Sequence, residues 1–245
     1  MSKKVIIAKI PVVLDCPDEL VPGLKQVLSG EYEFGYFGEG LTILDIGANL
    51  GSFTVWANLR WPDSRIHAYE PSPEAFEMLR VNVGQLPNVT CHNLAIHPGE
   101  KESELFWSRY AGDSAAGLVV HAGKIFKNLA QEDVSEVPVL HPQRLPKADV
   151  IKLDAEGAEA MILRETDLKE VSLILLEYHS VENRDAIKEL LKDDFALEYE
   201  DSIRWGLRLP SAEYNEKIEW DYQGRMFLAN RRHNRLRLFR GREYM

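Results

Sequence analysis

The sequence predicts an α/β fold built on one open, mostly parallel sheet. Three observations carry that prediction. Strand-like and helix-like segments alternate from about residue 42 to about residue 195, the signature of right-handed βαβ units. The strand-like runs 41–46, 150–154 and 173–177 are nearly unbroken in apolar residues, as strands buried on both faces are. Acids stand where these strands and the 65–70 run end, at Asp45, Glu70, Asp154 and Glu177. Ligands of such sheets bind outside the carboxyl ends of the strands, near the switch in strand order.

Residues 1–40 stand apart as a short N-terminal extension or cap, and 41–245 read as the single main domain. The extension holds a strand over 5–14, a helix over 18–28 and the loop Gly30-Glu31-Tyr32-Glu33-Phe34. The strand at 41–46 runs into a helix over 52–59, and 65–70 is the second strand. Ser72-Pro73-Glu74 then starts a helix: a capping hydroxyl, a proline at the first helical position and an early acid. Phe76, Leu79, Val83 and Leu86 recur behind it at helical spacing. Residues 89–96 read as a third strand, and 97–140 as irregular and hairpin-like, with a Gly/Ala/Ser loop at 111–117. Helices are expected over 156–165 and 183–192.

With 245 residues, 45% hydrophobic and 28% charged, the chain has ordinary globular composition and enough length for a proper core. No apolar run approaches the ~20 residues that cross a bilayer. Lys3 and Lys4 precede only Val5-Ile6-Ile7-Ala8 before Lys9, too short for a secretory leader. Cys16 and Cys91 show neither metal nor disulfide spacing, so a cytoplasmic home is expected. The net charge is −10, although the last fifteen residues hold six Arg and one Glu. An acidic body argues against nucleic acid as a partner. Arg235, Arg237 and Arg240 read as the wet face of a strand backed by Leu236, Leu238 and Phe239.

In Asp45-Ile46-Gly47-Ala48-Asn49-Leu50-Gly51 the small residues alternate, one step tighter than the dinucleotide G-x-G-x-x-G. Such a turn lets a ligand approach the backbone at a helix N-terminus, and Asn49 tolerates positive φ. Glu70 ends the next strand, 19 residues after Gly51, where an acid can accept hydrogen bonds from ribose hydroxyls. Pro71 offers a flat apolar surface beside a purine.

DIGANLG, AYEPSPEAFEMLRVNV, NLAI, IKLDAEGAEAMIL and LLEYHS together resemble the FkbM family of S-adenosylmethionine-dependent methyltransferases. The resemblance runs from about Leu41 to Ser180, and its most specific piece is Lys152, Asp154, Glu156, Gly157, Ala158 and Glu159. It implies a class I methyltransferase (Rossmann-like) fold, with a mostly parallel seven-stranded sheet and helices on both faces. It implies S-adenosyl-L-methionine as cofactor and O-methylation of a hydroxyl on a small-molecule, sugar or natural-product acceptor. Gly47, Asn49 and Gly51 would lie under the methionine part of the donor, Glu70 would hold the ribose, and the run from Asn93 to Ala95 would lie near the adenine. Relatives often carry a Leu-Asp pair before the K-x-D motif. Here Val139-Leu140-His141-Pro142 stands there, so His141 would alter chemistry or substrate.

A sulfonium carbon is already activated, so the protein chiefly holds donor and nucleophile in line at ~3–3.5 Å. A hydroxyl must also lose its proton, to a general base or on a metal. Asp154 or His179 is the expected base, Glu177 is expected to orient His179, and Glu156 to face the cleft while Glu159 caps or pairs. A variant places Mg²⁺ on Asp154 and Glu177. Tyr32 and Tyr36 would either cover the donor or pack. Arg204, Arg208 and the C-terminal arginines would meet an anionic acceptor group.

Two rivals share the sheet. A nicotinamide-dependent oxidoreductase would want G-x-G-x-x-G or Tyr-x-x-x-Lys, and neither occurs. A non-catalytic module would keep the donor pocket alone. The partner expected is a small-molecule or glycan acceptor, without nucleic acid or a membrane span, and a homo-oligomer is compatible with the sequence.

Overall fold

The computed structural model describes residues 2–7, 10–16, 21–28, 30–32, 36–109, 116–120, 133–203, 223–232 and 237–238. Arg204, Arg208, Arg235, Arg240 and most of the 111–117 loop lie outside the described residues.

The frame is a seven-stranded sheet. Its strands in chain order are β4 (Thr42–Ile46), β5 (Arg65–Tyr69), β6 (Val89–His92), β11 (Val150–Leu153), β12 (Leu173–Tyr178), β13 (Phe195–Ile203) and β14 (Gln223–Asn230). In space the order is β13-β14-β12-β11-β4-β5-β6, so the sequence reverses direction between β4 and β11. Only β14 runs antiparallel to its neighbours, β12 and β13. Helices α1 (Val21–Leu28), α2 (Ser52–Arg60) and α3 (Pro73–Val83) cover one face, and α4 (Glu159–Glu165) and α5 (Val181–Leu191) the other.

The alternation of each strand decides which side chain meets which layer. Ile43, Val150, Leu173 and Leu175 meet Phe53, Ala57 and Leu79 on the first face. Leu44, Ile46, Ile151, Leu153, Ile174 and Leu176 meet Ile162, Leu163 and Ile187 on the second. Asp45, Lys152 and Glu177 fall in the first set by register, which puts three ionisable groups inside an apolar layer. Burying each aliphatic side chain stabilises the fold by ~1.5–3 kcal/mol.

The α3 start forms as its sequence dictates. Ser72 caps it, accepting from Ala75 N–H, with Pro73 in the first turn. Elsewhere the structure corrects the expected boundaries. The 5–14 strand is a hairpin of β1 (Ser2–Ile7) and β2 (Ile10–Asp15). The 89–96 strand is two: β6 stops at His92, and β7 (Ala95–Ile96) joins a second sheet with β8 (Ser103–Trp107), β9 (Gly117–Leu118) and β10 (Val134–Leu140). Asn93 causes the break, because its amide donates to the carbonyls of Glu70 and Pro71, both at 2.9 Å, and turns the chain. The helix expected from 156 starts at Glu159, since Glu156 and Gly157 hold φ of 48° and 100°.

The segment before residue 41 shares the main core. Leu24, Leu28 and Tyr32 pack with Phe53, Trp56 and Phe227. Arg225 on β14 reaches Glu31 at 2.8 Å and also pairs with Asp201. β3 (Tyr36–Phe37) pairs with β15 (Arg237–Leu238), near the other end of the chain. Both cysteines are free thiols. Among the described residues, no helix is long and apolar enough to cross a membrane.

This layering makes a prediction about stability. Ile174→Ala, in the middle of β12 and fully buried, will lower the unfolding free energy by ~2–5 kcal/mol in urea. Leu105→Ala, at a half-exposed position on β8, will change it by under about 0.5 kcal/mol.

Candidate active site

The turn from β4 to α2 is bent by three left-handed residues, Gly47 (φ 76°), Asn49 (φ 48°) and Gly51 (φ 88°). Gly47 and Ala48 N–H both donate to Tyr69 O, which ties the turn to the end of β5. A Cβ on Gly47 would sit 1.9 Å from the backbone oxygen of Asp154, so the ends of β4 and β11 can approach only over a glycine. Gly51 packs instead against Leu79 and Val83 under α3.

Glu70 closes the other side of the turn. Its carboxylate accepts from Asn49 N–H and Ser72 N–H, each at 2.8 Å, and is almost wholly buried. Burial pushes its pKa up from 4.5 to about 7 against the pull of those two amides. Around these residues opens a cleft of about 790 Å³, counting the part open to solvent. Gly47, Asn49, Glu70, Pro71, Ala95, Asp154 and Glu156 all line it. Leu94 lines it too, and Ile96, Phe106 and Leu118 add an apolar wall that sequence reasoning missed, because it comes from the second sheet.

Three expected cofactor residues are not on the cleft surface. Gly51 lies beneath α3. Asn93 holds the backbone of Glu70 and Pro71 from behind. Asp45 is fully buried, accepting from Thr54 Oγ1 at 2.6 Å, because the strand alternation turns it into the α2 layer rather than to the rim.

Lys152, quoted only as part of a motif, is the partner of Asp45. Its buried Nζ donates to Gly47 O at 2.7 Å and stands 3.6 Å from Asp45 Oδ1 and 3.5 Å from Asp154 Oδ2. Burial opposes its charge, but Asp154 and Asp45 outweigh burial and its pKa is raised. A lone lysine amid Val150-Ile151-Leu153 was the signal that would have found it.

Asp154, Glu156, Glu159 and His179 converge next to it. His179 Nδ1–H donates to Glu159 Oε1 at 3.0 Å, while Nε2 faces Glu156 Oε2 at 3.4 Å and Asp154 Oδ1 at 3.6 Å. Glu159 also accepts from Ala155 and Gly157 N–H, so it closes the loop before α4. Burial opposes charge on His179, yet Glu156 and Glu159 raise its pKa well above 6.5. Burial pushes Glu156 well up despite His179, whereas His179 overcomes burial at Glu159 and keeps it ionised.

Several expectations need correction on this geometry. His179 does not line the cleft, and the neighbouring Glu156 and Glu159 raise its pKa against burial. Glu177 does not orient it; that carboxylate accepts from Tyr32 O–H at 2.9 Å, and Glu159 takes the orienting place. Nothing in the geometry supports Mg²⁺ on Asp154 and Glu177; the three ligand groups gathered together are Asp154, Glu156 and His179. Tyr32 packs in the core rather than over the cleft. His141 caps the turn Pro142–Arg144, accepting from Gln143 N–H, away from the cleft lining.

Two predictions follow from the turn. Gly47→Ala meets both the Asp154 oxygen and a strained φ, so urea unfolding will show a loss of at least ~1–3 kcal/mol. The raised pKa of Glu70 means the folded state binds its proton more tightly than the unfolded chain between pH about 4.5 and about 7. That contribution to stability is therefore present below about 4.5 and is lost as pH rises through about 7. In Glu70→Gln, the fall in unfolding free energy across that window will shrink by up to ~3 kcal/mol relative to wild type.

The profile of the methyltransferase FkbM domain matches residues 45–204. "Methyltransferase 1" of Beauveria bassiana is 26% identical over 170 residues, 58% of this chain and 65% of that protein. The hexuronic acid methyltransferase AglP of Haloferax volcanii is 24% identical over 152 residues, 60% of this chain and 59% of that protein. The 31-O-demethyl-FK506 methyltransferase FkbM of Streptomyces tacrolimicus is 44% identical over 43 residues, 18% of this chain and 16% of that protein. The chain spans less than two thirds of the length of these relatives. The sheet, with one reversed strand and helices on both faces, meets the expectation of a class I methyltransferase fold. The matched profile covers well over half of the chain, and the protein belongs to the FkbM methyltransferase family.

Proposed function

We propose that this protein is an S-adenosylmethionine-dependent methyltransferase acting on a hydroxyl of a small-molecule, sugar or natural-product acceptor. The observation that carries the reading is the cleft, where the Gly47 turn, the Glu70 carboxylate and Asp154 meet at adjoining strand ends.

The residues present fit the donor. Gly47 and Asn49 leave backbone uncovered for its methionine part, Glu70 offers ribose-binding oxygens, and Leu94, Ala95 and Ile96 give an apolar seat for adenine. When bound, the donor supplies a methyl group already activated on sulfonium sulfur. The protein's part is then to hold the acceptor in place, exclude water and take one proton. Asp154 is the carboxylate suited to take it, because it lines the cleft with Lys152 and His179 on either side. Without a metal, His179 acts as a charged positioning group, and Glu156, whose pKa burial raises, lines the cleft beside it. Oxygen as the methylated atom draws support from relatives named for 31-O-demethyl-FK506 and for hexuronic acid.

S-adenosylhomocysteine will raise the melting temperature of wild type and NAD⁺ will not, because only a ligand of the native state stabilises it. Glu70→Ala will weaken that shift. In assays of labelled methyl transfer to a panel of hydroxylated sugars and macrolides, Asp154→Asn will lower kcat ~10²–10⁴-fold while keeping the thermal shift. Stabilisation by NAD⁺ instead would overturn the reading, and donor binding without transfer to any acceptor would leave a binding module.

A further inference from the structure

We propose that Asp154, Glu156 and His179 form a binding site for one first-row divalent cation of the Mn²⁺, Fe²⁺ or Zn²⁺ class. One ligand atom from each lies within 4.8 Å of the other two.

The spacing is the first argument. His179 Nε2 stands 3.4 Å from Glu156 Oε2 and 3.6 Å from Asp154 Oδ1. Those separations exceed the ~2.7–3.2 Å of a good N–H···O bond. Two donor atoms each ~2.0–2.2 Å from a shared ion stand roughly 3.0–3.5 Å apart at octahedral to tetrahedral angles. The gap is therefore near the width that one ion spans.

Two further observations point into that gap. Asp154 Oδ1 is buried and makes no hydrogen bond, although it faces the imidazole. The His179 side chain is only 3% exposed, and its far nitrogen is fixed by Glu159, which is itself fully buried and held by two backbone amides. A carboxylate on the remote imidazole nitrogen is the arrangement that orients a metal-binding histidine.

The donor set chooses the ion. Hard cations such as Mg²⁺ and Ca²⁺ prefer oxygen ligands throughout, whereas one imidazole with two carboxylates suits first-row divalent metals. The ion takes the place of any proton on His179 Nε2 and on Glu156, which leaves to solvent as the metal binds. Because Asp154 and Glu156 also line the cleft, the remaining coordination positions open toward it. On the methyltransferase reading, an acceptor hydroxyl could occupy one of them and become more acidic there. Binding of the ion does not depend on that reading.

Mn²⁺ titrated into the full-length protein, followed by electron paramagnetic resonance, tests the site. The expected result is one bound Mn²⁺ per chain, with electron spin echo modulation from a coordinated imidazole nitrogen in wild type. His179→Ala will remove the nitrogen modulation and weaken binding about tenfold or more, while Glu77→Gln on the exposed face of α3 will bind as wild type does. The wild-type spectrum needs no variant to fold, and circular dichroism will confirm that His179→Ala does. No stoichiometric binding, bound Mn²⁺ without nitrogen modulation, or unchanged binding in folded His179→Ala would each overturn the proposal. S-adenosylhomocysteine binding, measured separately, reports on the donor pocket, so the two ideas fail independently.

Discussion

The ammonium of Lys152 is the interaction on which the rest of the site depends. It lies inside the sheet layer, where an uncompensated charge would be costly, and is satisfied by Gly47 O, Asp45 and Asp154. Lys152 and Asp45 are direct partners in the parallel register of β11 and β4, so the charge is matched across one sheet bond. The same contact draws the turn after β4 against the start of the loop after β11. Gly47 must then lack a Cβ, and Asp154 must present its side chain beside that turn. One buried cation fixes the relation between the two halves of the cleft.

Local chemistry made much of the fold legible. The Ser72-Pro73 start of α3, the apolar runs of β4, β11 and β12, and the Gly47–Gly51 turn are each written in adjacent residues. Asn49 at positive φ and Glu70 facing that turn also lie where the sequence indicates. The misses have tertiary causes. Asn93 splits an apparent strand by bonding carbonyls more than twenty residues back. β14 is a buried strand after a long interval, and its antiparallel partners could not be read from its own residues. Asp45, Asp154 and Glu177 share one strand parity, but Asp45 and Glu177 lie inside β4 and β12 whereas Asp154 stands one residue past the end of β11, where it reaches the cleft.

The candidate catalytic groups were named correctly as neighbours only in part. His179 and Asp154 do meet, but the partner of His179 is Glu159, twenty residues away in sequence. Tyr32, from the segment before the sheet, donates to Glu177, which still feels the charges of Asp154 and His179. Three carboxylates around one imidazole leave an excess of negative charge in a poorly solvated place. The groups respond together: burial raises the pKa of Glu156, and Glu156 and Glu159 raise that of His179. Such strongly shifted groups at a cleft wall are characteristic of working sites.

A crystal structure of the protein with S-adenosylhomocysteine tests the central claim most directly. The account predicts the homocysteine sulfur between the Gly47 turn and the Asp154 side chain, with the ribose hydroxyls on Glu70. Electron density for the ligand away from these three residues, with their cleft filled only by solvent, would contradict it.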